Sequence, residues 1–389
     1  MNRRLFFLSS AGAALAQSPN ETVRLALIGA GGRGRRVMLE FMRDPNLKVH
    51  GVCDVYEPHL EQGLSASGPG TKAYRDYRRV LDDPDVDAVL IATPEHWHHR
   101  MTLDAMDAGK DVYVEKPLCH TPQEGKELVE AQRNSDRIVQ VGMQRRSYNL
   151  YLEARDMRRD GQFGTIRMVR TYWLNSRTEP RRAPFQGPIN WDAWVGPAPK
   201  VPKDPLIFFN WRSLAAYSGG IAQDQGCHIF DSIHLIMDAG YPVSVNATAL
   251  RPHVEGMDLP ESVVVAAEYP EGFLAVFTIN YNAMRYAVRA DQLNAYDGSL
   301  ARMDIGREFL RVYSRDAPET ASFAKEQPGG FAQATIDHVM NFLDCVRSRK
   351  APRAPMEKGF QAALIVQLAN ISIREGRKVG WDDKTLSVV

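Results

Sequence analysis

From Val23 onward, short apolar runs alternate with stretches in which apolar residues recur at helical spacing. "VRLALIG" is apolar almost throughout, and "RRVMLEFMRD" sets Val37, Met38, Phe41 and Met42 on one helical face. The alternation continues with strands in "LKVHGVCD", "DAVLIATP", "DVYVEKP" and "RIVQVGMQ". Between them lie helices in "RDYRRVLDDPDV", "HRMTLDAMDAGK" and "PQEGKELVEAQRNS". Apolar strands separated by single helices predict a parallel sheet covered on both faces, ending near Arg146.

The rhythm then changes. A helix, "YNLYLEARDMRRDG", leads into a long strand, "IRMVRTYWLN". A polar, proline-rich stretch runs from Arg177 to about Phe209, too long to be idle connection. Next come a helix, "IAQDQGCHIFDSIHLIMDAG", and strands at hairpin spacing: "VSVNATALR", "SVVVAAEYP", "FLAVFTINYN" and "YAVRADQLNAY". Two amphipathic helices, "IDHVMNFLDCVRSR" and "GFQAALIVQLANISIREG", close the pattern. The expectation is α/β: a first domain over residues 23–146 and an α+β domain over 147–389 with an open, mostly antiparallel sheet. A sheet with helices on one face needs cover on the other, which predicts an oligomer.

Composition changes this picture little. Of 389 residues, 44% are hydrophobic, enough for sizeable cores. The 48 basic and 47 acidic residues balance, which removes the electrostatic case for nucleic acid or an anionic membrane as partner. Four cysteines, Cys53, Cys119, Cys227 and Cys345, lack metal-ligand spacing and read as buried thiols. Residues 1–16 differ. "MNRRLFFLSSAGAALA" has a basic start, a short apolar run and an Ala-x-Ala end, the layout of a cleavable twin-arginine signal. It predicts export of the folded protein to the periplasm or beyond, with no membrane anchor after cleavage.

"LALIGAGGRGRR" gives Gly29, Gly31 and Gly34 in GxGxxG spacing, with Gly32 and Arg33 between them, after a strand and at the opening of a helix. Asp54 ends the next strand, 20 residues after Gly34. In this context the glycines bring backbone N–H groups to a pyrophosphate, and the acid accepts from ribose hydroxyls. Asp54 repels a 2′-phosphate, and Val55 and Tyr56 bring no cation to offset it, so NAD is expected in preference to NADP. Thr93 and Pro94 end a later strand at the same sheet edge. His96, Trp97, His98 and His99 follow too closely in sequence to give three ligands to one ion, so no metal is expected. Trp97 and at least one histidine are expected to flank the cofactor; surface histidines are the bland alternative.

The strand "DVYV" finishes in Glu115-Lys116-Pro117. At the carboxyl edge of the sheet a lysine can bind a reacting hydroxyl, whereas an exposed Glu–Lys pair would contribute little. In "DQGCHIFD", Asp224 and His228 are four apart and share a helix face. Carboxylate and imidazole beside a lysine make a workable proton relay; a helix cap and a packed histidine are the alternative. Trp191, Trp194 and Trp211 could stack on a sugar ring or pack structurally, and Arg145, Arg146 and Arg212 could bind hydroxyls or carboxylates.

Together "GAGGRG", "CD" at 53–54, "ATPEHWH", "EKP" and "DQGCHIFD" resemble the Gfo/Idh/MocA oxidoreductase family from about Val23 to Asp382. The resemblance implies a Rossmann domain followed by a domain whose open sheet often forms the oligomer interface, so a homodimer or homotetramer. It implies cofactor contacts along Gly29–Gly34, Asp54, Thr93, Pro94, Trp97, His98, Glu115 and Lys116, with His98 near the nicotinamide. Lys116 would bind and polarise the reacting hydroxyl, His228 would be the general acid/base, and Asp224 would orient substrate, with Arg145, Trp211 and Arg212 as further substrate contacts. "INWDAWVGPAP" and "FFNWR" look like an exported branch acting on sugars and glycosides, although many relatives carry Asn where Asp224 stands. The implied activity is NAD-dependent oxidoreduction of a sugar, polyol or glycoside; export to where free NAD is scarce adds the expectation of a tightly held cofactor. An NAD-dependent glycosidase working by transient oxidation and elimination is one alternative, weakened by the intact Lys116. A non-enzymatic NAD-binding sugar sensor is another.

Overall fold

The computed structural model describes residues 22–176, 180–284, 286–287 and 291–389. The predicted signal segment lies outside them. The first half runs β1 (Val23–Ile28), α1 (Gly32–Phe41), β2 (Leu47–Cys53), α2 (Glu57–Ser67), β3 (Lys72–Tyr74), α3 (Tyr77–Leu81), β4 (Ala88–Ile91), α4 (His98–Asp107), β5 (Asp111–Val114), α5 (Pro122–Arg133) and β6 (Val139–Val141). These strands form one parallel sheet in the order β3-β2-β1-β4-β5-β6. Chain order reverses between β1 and β4, which opens a crevice at the carboxyl edge. Both faces are covered: Leu25 and Leu27 of β1 pack into one apolar cluster, Ala26 and Ile28 into the other. That is why these strands read as apolar at every position. Helix α5 starts where Thr121 and Glu124 form a capping box around Pro122.

The second half runs α6 (Asn149–Arg159), β7 (Ile166–Leu174), α7 (Trp191–Val195), α8 (Pro205–Asn210), α9 (Gly220–Met237), β8 (Ser244–Ala249), β9 (Ser262–Tyr269), β10 (Phe273–Asn280), β11 (Gln292–Gly298), β12 (Ala301–Ile305), β13 (Phe309–Ser314), β14 (Ala321–Glu326), α10 (Gly330–Ser348), α11 (Met356–Glu375), β15 (Val379–Asp382) and β16 (Ser387–Val388). Its ten-stranded sheet has the order β14-β13-β12-β11-β7-β10-β9-β8-β15-β16, antiparallel except where β7 meets β10. Along β9 and β10, buried positions alternate with more open ones. Val263, Val265, Phe277 and Ile279 point to the helices, while Val264 and Leu274 stay exposed on the opposite face. Helices α9 and α11 pack on each other and on the inner face.

Helix α10 crosses from the second half to the first sheet. Its Val339, Phe342 and Leu343 enter the cluster that holds Phe41 and Tyr113, and the Phe342 ring meets both aromatic rings edge-on. Buried His338 faces the Val141 carbonyl at 2.9 Å through Nε2 and Ser147 Oγ at 3.0 Å through Nδ1. Covering the first sheet therefore needs a helix far beyond residue 146. None of the helices among the described residues is long and apolar enough to cross a membrane.

Candidate active site

Gly29 leaves β1 with φ +92°, and a Cβ there would lie 2.8 Å from the Ala92 backbone. A Cβ on Gly34 would lie 2.1 Å from the Gly29 carbonyl oxygen. Only glycine fits these two positions, so β1 and α1 approach closely and the first turn of α1 faces the crevice. Asp54 caps the turn from β2: its carboxylate accepts from Ala30 N–H at 2.7 Å and Tyr56 N–H at 2.9 Å. The crevice continues as a cleft of about 1120 Å³ lined by Gly29, Gly31, Gly32, Arg33 and Asp54 at one end. Thr93, Pro94, Trp97, His98, Glu115 and Lys116 line it further along, and Trp211, Arg212 and Asp224 line the far end. The donor set fits a dinucleotide: free N–H groups at a helix start, open space beside Gly32, and a carboxylate at the β2 edge.

The residues after β4 act mainly as braces. His98 is buried, with Nδ1 2.6 Å from the Pro117 carbonyl oxygen and Nε2 2.9 Å from that of Thr93, so it ties the β4 and β5 exits together. Burial pulls its pKa below the ordinary value. His96 is buried too, which corrects the surface alternative for both. Trp97 donates from Nε1 to the Trp194 carbonyl at 2.9 Å. Arg33 reaches across to Glu115 at 2.8 Å, so these two predicted cofactor residues hold each other at the cleft wall.

Lys116 follows β5, and its bond to Pro117 is cis. Its ammonium donates to Asp224 Oδ1 at 2.7 Å and to the Asp224 carbonyl at 2.6 Å. Arg212 Nε stands 3.4 Å from the same carboxylate oxygen, and Gln225 donates to the other at 3.0 Å. Burial opposes charge on both partners, but their attraction outweighs it: the Lys116 pKa ends raised and that of Asp224 ends far below the carboxylate range. Asp224 thus holds Lys116 in place, and it also lines the cleft. His228 sits one turn along α9, 6% exposed and behind the cleft lining, with its ring stacked near Trp173. Burial, then Lys116 and Arg145, push its pKa well down, so the imidazole is neutral. Its Nδ1 is buried and has no hydrogen-bond partner among the described residues.

The expected substrate contacts of Arg145 and Arg146 need correction. Arg145 is 1% exposed and does not line the cleft. Its guanidinium bonds Ser232 and Gln292 and lies over the Tyr151 and Trp173 rings, so it supports the floor under His228. Arg146 likewise pairs with buried Asp231 at 2.6 Å. Trp191 and Trp194 stack on each other at 4.8 Å, and the Trp191 indole donates to Val201 O at 2.8 Å; both pack structurally, and Trp194 also lines the cleft. Trp211, with the Arg212 guanidinium 4.1 Å over its ring, keeps its place in the lining.

Two features were only partly visible in the sequence. The first is a strap made by residues 184–214, between β7 and α9. Asn190 N–H donates to Val55 O and Glu57 N–H to Pro188 O, both at 2.9 Å, and Gln186 N–H donates to the Tyr56 hydroxyl at 2.8 Å. Trp194, Phe208 and Tyr217 then bury Tyr56 in an aromatic cluster. Near α7, Gly196 turns at φ +53° with a would-be Cβ 2.0 Å from the Trp97 ring. The strap therefore spans the cleft from the Asp54 turn to the β4 exit. The second feature is Glu95, buried in the quoted "PEHWH" but overshadowed there by its aromatic neighbours. The acid directly after Pro94, at a strand's carboxyl end, was its only signal.

Family models match most of the chain: "Oxidoreductase family, NAD-binding Rossmann fold" over residues 23–143, and "GFO/IDH/MocA C-terminal domain" over 151–296. A myo-inositol 2-dehydrogenase of Thermotoga maritima is 25% identical over 370 residues, 93% of this chain and 99% of that protein. A glycosyl hydrolase family 109 protein of Shewanella sp. is 34% identical over 158 residues, but these are 38% of this chain and 34% of that protein. The solved levoglucosan dehydrogenase complex with NADH and levoglucosan shares the fold, with TM-score 0.73 at 20% identity over 92% of this chain and 99% of that one.

Proposed function

Because the chain belongs to the GFO/IDH/MocA oxidoreductase family, we propose that it moves hydride between NAD and a hydroxyl-bearing carbon of a sugar, polyol or glycoside. The observation that carries this is the Lys116–Asp224 contact, which sets a fixed ammonium at the end of the dinucleotide cleft. NAD, when bound along Gly29–Gly34 and Asp54, supplies the hydride acceptor. Lys116, held charged by Asp224, donates a hydrogen bond to the substrate oxygen and favours its loss of a proton. His228, neutral and behind the lining one turn along α9 from Asp224, would take that proton through its unpartnered Nδ1. Trp211 and Arg212 bound the sugar. The inositol and levoglucosan enzymes among the relatives support the substrate class.

The reading extends to retention, location and assembly. The strap from 184 to 214 closes over the Asp54 end and would hold NAD tightly, which suits a protein exported folded by the leader-like residues 1–16. The exposed face bearing Val264 and Leu274 would be the contact between copies, giving a homodimer or homotetramer. The test is NADH formation by purified protein offered a panel of sugars, polyols and aryl glycosides. Aglycone release with no net NADH would favour redox-assisted glycoside cleavage, the reading that the Shewanella relative supports.

A further inference from the structure

Glu95 is fully buried at the exit of β4, between the two sheets. Its Oε1 accepts from the Ser218 hydroxyl at 2.9 Å, and its Oε2 accepts from Gly219 N–H at 2.9 Å and the Gln223 amide at 3.2 Å. Ser218 Oγ in turn accepts from Gly220 N–H at 3.0 Å. All these donors belong to the start of α9, whose free N–H groups favour an anion. The Gln223 amide also donates to Cys119 O at 3.0 Å, on the segment that follows Lys116 and Pro117. One carboxylate thus fastens the β4 exit to the residue before Asp224, and through it to the segment that carries Lys116. Among the described residues no lysine or arginine pairs with Glu95, so it is not a structural ion pair.

We propose that Glu95 is a positioning residue: in its ionised form it locks the first turn of α9 so that Asp224 meets Lys116 in the geometry needed for turnover. This rests on the reading of Lys116 as the group that binds the reacting hydroxyl. An ionised carboxylate accepts all three hydrogen bonds. A protonated one carries a donor, so the bond from Ser218 is reversed or lost and the bonds it still accepts are weaker.

Burial, with the Asp224 charge adding to it, raises the Glu95 pKa to about 7 despite its hydrogen bonds. The groups facing it are Asp224 and Cys227 on α9, and Lys116 and Cys119 after β5. Lys116 and Asp224 stay charged, and burial pushes both thiols up, so Glu95 is the group of this cluster that changes charge near neutral pH. His228 titrates well below its ordinary value and does not supply that step.

The experiment is the pH profile of kcat for wild type, Glu95→Gln and Ser218→Ala, with the NAD dissociation constant and Tm of each. The expected wild-type profile rises through a step near pH 7. Glu95→Gln should lower kcat about ten- to hundredfold, abolish the step and leave NAD affinity intact. Ser218→Ala removes one donor to the carboxylate and should move the step to higher pH. A loss of Tm in Glu95→Gln with kcat and the step unchanged would overturn the proposal, as would a step that Ser218→Ala does not move. Lys116→Ala, run alongside, separates the two ideas: if it leaves kcat intact, the reading of Lys116 fails; if it abolishes turnover while Glu95→Gln keeps wild-type kcat and profile, only the role of Glu95 fails.

Discussion

Lys116 and Asp224, 108 residues apart in sequence, meet at 2.7 Å with both side chains nearly buried. One comes from the first sheet and the other from a helix of the second half, so the contact is made only when the two halves dock. Its two members do different work. Asp224 has its oxygens occupied by Lys116, Arg212 and Gln225, and so holds the ammonium in place.

Replacing Lys116 by Ala removes the group that binds the reacting oxygen and should lower kcat about a hundred- to ten-thousand-fold, with NAD affinity little changed. It also leaves the buried Asp224 carboxylate with Arg212 and Gln225 as its remaining partners, at a cost of about 1–3 kcal/mol. Adding Asp224→Asn should restore most of the lost Tm without restoring turnover. Thermal melts and steady-state rates on the single and double variants check both halves.

Asp54 accepts from Ala30 and Tyr56 while facing the cleft. Asp54→Ala loses the acceptor for ribose hydroxyls and loosens the glycine turn. Calorimetry should show NAD binding weakened about ten- to a hundredfold and the preference over NADP reduced, in line with charged hydrogen bonds of about 1.5–3 kcal/mol.

Gly196 sits at positive φ against Trp97. Gly196→Ala forces the strap away from that ring and adds backbone strain of about 1–3 kcal/mol. The expected outcome is faster NADH release in stopped-flow fluorescence, with the rate of substrate oxidation at saturating NAD less affected.

Burial lowers the His338 pKa to about 4, against 6.5 for the free side chain, in spite of its contact with Val141 O. Between these values the unfolded chain binds a proton that the folded chain does not. The stability this residue contributes is thus complete above pH 6.5 and is lost as pH falls towards 4. Tm measured against pH should fall over that window, and His338→Gln should flatten the fall.

The first sheet was legible because its strands are buried on both faces, as with Leu25 and Ala26 on opposite sides of β1. Strand β3 escaped because it is a short edge whose Lys72 and Ala73 are exposed. Strands β12 to β14 escaped because their open face carries Arg302, Asp304 and Arg311, which breaks up the apolar signal. Helix α10 was visible as a helix, but periodicity says which face is apolar and not which sheet that face covers. At the site, Lys116 and Asp224 stood in recognisable motifs. Arg145 was misread because nothing in "MQRRS" tells that its guanidinium is enclosed by Tyr151 and Trp173. Glu95 was missed because a lone acid has no pattern, and its meaning lies in residues more than 120 positions away.

The most direct test of the central claim is NADH formation by the purified full chain with added NAD and a panel of sugars, polyols and aryl glycosides. The account predicts net NADH with at least one sugar or polyol, lost in Lys116→Ala although that variant still binds NAD. No NADH with any of them, or undiminished NADH from Lys116→Ala, would contradict it.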